Sequence, residues 1–96
     1  MYYLIYLKEA KENLAKLKKQ EQLEKLKKIK SALNKLQENP RHPGLHTHKY
    51  NSFKGHNSED VFQSYVENRT PSAFRIFWVY GEEKSVIIIL SITPHP

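Results

Sequence analysis

The chain has no cysteine, which excludes a disulfide framework and a thiolate metal site. It also has no apolar stretch near the ~20 residues that are needed to cross a bilayer. Its first six residues lack the basic segment and the small-residue cleavage site of a signal peptide. These absences predict a cytoplasmic protein without a membrane segment. The 96 residues suffice for one small domain, residues 1–96.

Basic residues outnumber acidic residues in only one part of the chain. Residues 8–37 hold ten lysines and four glutamates, which accounts for the whole formal net charge of +6. Concentrated positive charge attracts phosphate backbones or an acidic partner. The same lysines could instead form a solvated helix surface on which glutamates pair with neighbouring lysines. The composition leaves both interpretations open.

The lysine-rich segment carries two apolar stripes at helical spacing. One stripe lies within residues 7–17, and a second, out of phase with the first, lies within residues 23–36. The phase break predicts a helical hairpin with a turn around residues 19–22, whereas one long helix in a coiled coil is the alternative. Asn39-Pro40 predicts the end of the second helix, because the residue before a proline is disfavoured in the helical region.

Five strands are predicted from β-branched and aromatic runs that lie between turn residues. They cover residues 2–6, 45–54, 61–68, 74–80 and 86–92. The last four follow each other through short connections, which predicts an antiparallel meander. We therefore expect an α+β fold in which the strand and helical hairpin of residues 1–39 join the sheet of residues 40–96, with the helices on one face.

A histidine follows the last predicted strand. His95 stands between Pro94 and Pro96, which cannot donate a ladder hydrogen bond and are therefore expected to end that strand. Histidine is the side chain best suited to moving a proton near neutral pH, so His95 is a candidate acid or base. A surface histidine in a frayed tail is the alternative.

Three further histidines raise the question of a metal site. His42, His46 and His48 fall within seven residues, and a strand would place His46 and His48 on one face. Zinc takes roughly three or four protein ligands with supporting hydrogen bonds. No cysteine or nearby carboxylate completes this set, so we expect no metal.

Several short motifs follow one another along nearly the whole chain. They are Asn39-Pro40, Lys54-Gly55, the strand Arg75-Ile76-Phe77-Trp78, and the aliphatic run 87–92 followed by His95. In this order they resemble the RelE/ParE toxins of bacterial toxin–antitoxin modules. The segment 93–96 is more similar to the branch that cleaves RNA on the ribosome than to the branch that poisons gyrase.

The resemblance implies a toxin that cleaves mRNA on the ribosome, without a metal or other cofactor. A ribose 2′-hydroxyl would attack its own phosphate, which requires a base, an acid and cations around the phosphorus. A cognate antitoxin would be its protein partner. The alternative is a gyrase-targeting or non-catalytic module that binds an antitoxin.

The resemblance also assigns catalytic roles. His95 matches the family's acid or base near the chain's C-terminal strand, and Arg75 matches the arginine that opens the aromatic strand. Glu67, expected on the same strand face as Tyr65, could act as the carboxylate base. Arg75 could instead pair with Glu67 or Asp60 at the surface, where such a pair contributes about 0–1 kcal/mol.

RNA contacts are expected from three residues. Lys54 matches the basic residue before the loop glycine, and Arg69 lies in the turn before the aromatic strand. Tyr65 has polar neighbours, so its ring could stack on a base. The aromatic side chains of Phe74 and Trp78 are expected in the core instead, because they share one face of a central strand.

Overall fold

Two helices pack on one face of a five-stranded sheet. The structure is a computed structural model that describes residues 1–54, 59–67 and 72–94, with residues 52–54 described by their backbone alone. Its helices and strands are β1 (Tyr3–Tyr6), α1 (Lys8–Lys19), α2 (Leu23–Glu38), β2 (His48–Lys54), β3 (Asp60–Tyr65), β4 (Phe74–Tyr80) and β5 (Val86–Pro94).

A tight turn separates the two helices. Glu21 adopts a left-handed conformation, with φ of 57°. Its N–H donates to the Lys18 carbonyl at 3.0 Å, and the Gln22 N–H donates to the Leu17 carbonyl at 2.9 Å. This pair of bonds is a Schellman turn, which ends α1 and reverses the chain. The helical hairpin is confirmed, and the single long helix of a coiled coil is wrong.

Both apolar stripes face the sheet. Leu17 of α1 and Ile29, Leu33 and Leu36 of α2 are buried. The second helix ends at Glu38, where Asn39 turns extended before Pro40, as predicted. No helix among the described residues is long and apolar enough to cross a membrane.

The sheet is mixed, with strand order β1-β5-β4-β3-β2. The meander from β2 to β5 is antiparallel throughout, as predicted. At the opposite edge β1 lies parallel to β5, with Tyr3 opposite Val86 and Tyr6 opposite Ile89. The first and last strands in chain order are therefore neighbours.

The last strand is longer than predicted. Pro94 was expected to end it, yet Pro94 lies within β5, opposite Phe74. The short β1 pairs only with residues 86–89, so none of the described strands flanks the rest of β5 on that side. There the Ile92 N–H donates to Asn13 Oδ1 of α1 at 2.9 Å. A proline is tolerated in a strand whose neighbouring edge is open.

The second strand starts later than predicted. The predicted strand 45–54 begins only at His48, because Pro43–Leu45 form a 3₁₀ turn whose Leu45 is buried. The side chain of His42 accepts the Gly44 N–H at 3.0 Å and stabilises that turn. The predicted strand 61–68 similarly ends at Tyr65. Tertiary burial of Leu45 overrides the local preference for an extended strand.

Trp78 lies at the centre of the core beneath the helices. It is fully buried, and its ring stacks on Phe62 with centroids 4.9 Å apart. Its Nε1–H donates to Ser64 Oγ at 2.8 Å, and Ser64 Oγ lies 2.7 Å from Thr47 Oγ1. Phe74 packs against the same core. The prediction that Trp78 and Phe74 are core residues is confirmed.

Candidate functional site

Polar side chains gather on the sheet face opposite the helices, which we call the outer face. One part of this face is apolar, with Val61, Phe77 and Val79 buried together. Residues directly opposite each other in an antiparallel pair share a face. His48 lies opposite Gln63, and Tyr65 lies opposite Arg75. Two neighbouring pairs therefore place a polar cluster beside the apolar patch.

Arg75 is held mainly by an aromatic ring. Its guanidinium carbon lies 3.7 Å from the Tyr65 ring centroid, a close cation–π contact. Its Nη1 lies 3.5 Å from Gln63 Oε1, which is long for a hydrogen bond. Its Nε is buried and has no hydrogen-bond partner among the described residues. The guanidinium can therefore move onto an anion without breaking a strong hydrogen bond.

Two imidazoles complete the contacts of Tyr65. The His46 ring lies 5.4 Å from the Tyr65 ring, and the His48 ring lies edge-on at 5.6 Å. We name Arg75, Tyr65, Gln63, His46 and His48 the Arg75 cluster. Since Arg75 covers one face of the Tyr65 ring, a nucleobase on that side would stack on the guanidinium plane. Stacking of a base on Tyr65 itself stays a prediction.

The three neighbouring histidines make separate local contacts. His42 accepts a backbone N–H through Nδ1, and His48 Nδ1 lies 2.8 Å from the His46 carbonyl oxygen. Within the described ranges, no group of three or more His, Asp or Glu side chains is placed to hold a metal ion. The arrangement instead fixes the orientation of the His48 ring.

Glu67 does not share the face of Tyr65, so that prediction is wrong. The strand ends at Tyr65, and the Glu67 carboxylate turns to α2. There it accepts hydrogen bonds from Lys25 Nζ at 2.5 Å and Lys28 Nζ at 3.3 Å. The hydrogen bond from Lys25 lowers the pKa of Glu67 against the opposing effect of burial, and Lys28 adds to the lowering. A carboxylate held in this way is a weak base.

Three other predicted site residues lie at or beyond the limits of the described ranges. His95 and Arg69 lie outside the described residues, and Lys54 is described by its backbone alone at the end of β2. The structure does bring Arg75 and Tyr65 together. Sequence reasoning missed the contribution of Gln63. It placed His46 and His48 on one face but considered them only as metal ligands.

The architecture has counterparts among solved structures. A YoeB/ParE toxin from Agrobacterium tumefaciens aligns over 100% of both chains, with a TM-score of 0.72 and 9% identity. The archaeal RelE–RelB complex from Pyrococcus horikoshii OT3 aligns over 97% of this chain and 93% of that chain, with a TM-score of 0.64 and 18% identity. The chain has the RelE/ParE toxin fold.

A third example of the RelE/ParE fold agrees with these two. The heterotetrameric YoeB–YefM toxin–antitoxin complex from Staphylococcus aureus aligns over 100% of this chain and 99% of that chain, with a TM-score of 0.66 and 16% identity. No protein-family model and no curated protein sequence matches the chain. On this RelE/ParE fold, the Arg75 cluster occupies the sheet face that the helical hairpin leaves uncovered.

Proposed function

We propose that the protein is the toxin of a toxin–antitoxin module and cleaves mRNA on the ribosome as a metal-independent endoribonuclease. The observation that carries the proposal is Arg75 on the outer face, stacked on Tyr65 at 3.7 Å. Arginine stays charged at any physiological pH, and its planar fork matches a phosphate. The solved structures of like fold are named as toxins, which supports the same role here.

The reaction is an internal transfer at phosphorus. The ribose 2′-oxygen forms a bond to the adjacent phosphorus while the bond to the 5′-oxygen breaks. A base takes the 2′-hydroxyl proton, and an acid gives a proton to the leaving 5′-oxygen. Arg75 stabilises the negative charge that builds on the phosphoryl oxygens. We assign the role of the acid to His95. It follows two positions after Thr93, and Thr93 lies opposite Arg75.

Binding of the RNA would use further cations. Lys54 at the end of β2 and Arg69 in the connection before β4 are proposed as phosphate contacts, with Tyr65 holding Arg75 in place. Glu67 fits this scheme better as a structural residue than as the base, because Lys25 and Lys28 bind its carboxylate. A target on the ribosome would place the protein in the cytoplasm.

An antitoxin partner is the second part of the proposal. Two of the neighbours were solved in complexes named RelE–RelB and YoeB–YefM. In this chain the edge strand β1 exposes Tyr3 and Ile5, and the helical hairpin concentrates lysines. An acidic, partly disordered antitoxin can add a strand to such an edge and lay a helix on such a surface. Copurification from the native operon should yield this complex.

A ribosome-programmed cleavage assay tests the activity. The parent should cut mRNA, Arg75→Ala should lose most cleavage, and Arg75→Lys should recover only part, because an ammonium lacks the planar fork. His95→Gln should lower the rate by ~10²–10⁴, as expected for a lost general acid. Thermal melts identify any variant that is merely unfolded.

Expression in a bacterium separates the possible targets. Growth arrest with cut transcripts would support the nuclease. Growth arrest with intact transcripts and a DNA-damage response would indicate gyrase and overturn the proposed activity. Expression without any effect on growth or transcripts would indicate a non-catalytic binding module.

A further inference from the structure

The orientation of His48 fixes which of its ring nitrogens is free. His48 Nδ1 lies 2.8 Å from the His46 carbonyl oxygen. A carbonyl oxygen can only accept a hydrogen bond, so Nδ1 must carry the hydrogen. In the neutral ring, Nε2 is then unprotonated and can accept a proton. A histidine whose Nδ1–H is held by a hydrogen bond in this way has the tautomer that a general base requires.

His48 is also placed beside the proposed phosphate site. It is exposed, shares the outer face with Gln63 opposite it, and packs against the Tyr65 ring in a T-shaped arrangement with centroids 5.6 Å apart. Arg75 lies on the same ring at 3.7 Å. The separation between the imidazole and the guanidinium therefore cannot exceed these two distances together. A ribose 2′-hydroxyl and its own phosphate can bridge such a gap.

The described part of the cluster has few competitors for the role of base. The groups that face His48 are His46 from the preceding connection, Tyr65 from β3 and, across the Tyr65 ring, Arg75 from β4. Arg75 is a cation, and a phenol is a much weaker base than an imidazole, which leaves the two imidazoles. Of these, only His48 has a ring nitrogen held by a hydrogen bond among the described residues. Glu67, the base expected from the sequence, is bound to two lysines of α2.

We propose that His48 is the general base of the RNA cleavage, an inference that rests on the proposed function. Its Nε2 takes the proton of the ribose 2′-hydroxyl as the 2′-oxygen attacks the adjacent phosphorus. The bond from phosphorus to the 5′-oxygen breaks, and that oxygen receives its proton from the separate acid. The products are a cyclic phosphate on the upstream RNA and a free 5′-hydroxyl on the downstream RNA.

The test compares His48→Gln with the parent in the ribosome-programmed assay. Glutamine keeps a polar side chain of similar reach but cannot take up a proton at neutral pH, so the rate should fall by ~10²–10⁴. Affinity for an RNA with a 2′-deoxy ribose at the cleavage site should stay at the parent value. The parent rate should fall toward acid pH, where a histidine base is protonated, and this fall should be absent from His48→Gln.

A matched control uses another histidine of the same connection. His42 is bonded to Gly44 within the 3₁₀ turn and makes no contact with the Tyr65 ring in the described contacts, so His42→Gln should cut at the parent rate. Because His48 is exposed, the thermal melt of His48→Gln should match the parent. The melt of His42→Gln reports separately on the loss of its hydrogen bond to Gly44.

Several outcomes overturn the inference. Parent-like cleavage by His48→Gln would exclude His48 while leaving the nuclease intact. An equal loss of rate and of affinity for the 2′-deoxy RNA would make His48 a binding residue. A larger loss in His46→Gln than in His48→Gln would assign the base to His46. Absence of cleavage by the folded parent would instead overturn the proposed function, and this inference with it.

Discussion

At the scale of single residues, the Tyr65 ring positions the charged guanidinium of Arg75. Only two described contacts hold the guanidinium, the Tyr65 ring and a long bond to Gln63. The aromatic face orients a planar cation without consuming its N–H donors, which remain for a phosphate. The ring itself, rather than the phenol hydroxyl, is therefore the important part of Tyr65.

Substitutions of Tyr65 can separate ring from hydroxyl. Tyr65→Leu should weaken RNA binding roughly 2- to 5-fold, since an exposed cation–π contact contributes about 0.5–1 kcal/mol. Tyr65→Phe keeps the ring and should bind RNA as the parent does. Equilibrium binding to a 2′-deoxy RNA measures both. Equal losses in the two variants would show that the hydroxyl group matters and would contradict the role of the ring.

Another single residue, Ser64, accepts the hydrogen bond of the buried Trp78 indole N–H. Ser64→Ala would leave the Trp78 Nε1–H without its acceptor and should lower the free energy of unfolding by about 1–3 kcal/mol. Urea denaturation followed by tryptophan fluorescence measures this loss. Ser31→Ala, on the exposed surface of α2, is the matched control and should be neutral or slightly stabilising. Parent-like stability of Ser64→Ala would mean that the bond contributes nothing.

At the scale of the elements, the end of β5 depends on a helix for its pairing. Asn13 of α1 accepts the Ile92 N–H where β1 no longer reaches. Asn13→Ala would orphan that N–H and should cost about 1–2 kcal/mol of stability. Asn13→Asp keeps an acceptor oxygen at the same place and should lose much less. Denaturant melts compare the two, and equal losses would contradict the edge-covering role.

The helices were more predictable from sequence than the strand ends. The helical stripes depend on local periodicity, and the break between them gave the turn directly, although Glu21 has the left-handed conformation usually taken by glycine. The limits of β2 and β5 depend on what lies next to them. Burial of Leu45 delays β2, and the open side of β5 admits Pro94.

The candidate site was predictable only in part, for a similar reason. Arg75 and Tyr65 lie on strands whose alternation is regular, so their meeting follows from the sequence pattern. Glu67 was misplaced because the alternation was continued past Tyr65, where the strand ends. The orientation of His48 depends on the left-handed conformation of His46, with φ of 48°, which no local pattern in the sequence indicates.

At the scale of the whole molecule, one ion-pair group fastens the helical layer to the end of the sheet. Glu67 follows β3, its side chain is 7% exposed, and both of its lysine partners belong to α2. Lys25 also lies over the Phe74 ring at the start of β4, at 5.1 Å. The two layers therefore meet in an electrostatic contact next to the strand that carries Arg75.

This contact predicts a pH-dependent stability. Because the pKa of Glu67 is lowered on folding, its stabilisation is present above the usual glutamate value of 4.5 and is lost as pH falls through the lower folded value. Glu67→Gln should lower stability by roughly 1–2 kcal/mol at neutral pH. As the pH falls below 4.5, the melting temperature of Glu67→Gln should approach that of the parent, because the parent then loses this stabilisation.

The control for that experiment is the exposed Glu38. Glu38→Gln removes one negative charge of the same kind from the surface, so it corrects for the change in net charge alone. If Glu67→Gln and Glu38→Gln have the same melting temperature at every pH, the contact between the two layers does not contribute to stability.

The order of synthesis gives the sheet topology a further meaning. β5 is the last of the described strands to be translated, yet it lies between β1 and β4. Until it emerges, β1 has no strand partner and the apolar side chains that later contact β5 stay uncovered. Translation proceeds at about 5–20 residues per second, so the nascent chain spends several seconds without the strand that joins β1 to the rest of the sheet. During nearly the whole synthesis of the described chain, β1 therefore has no strand to pair with.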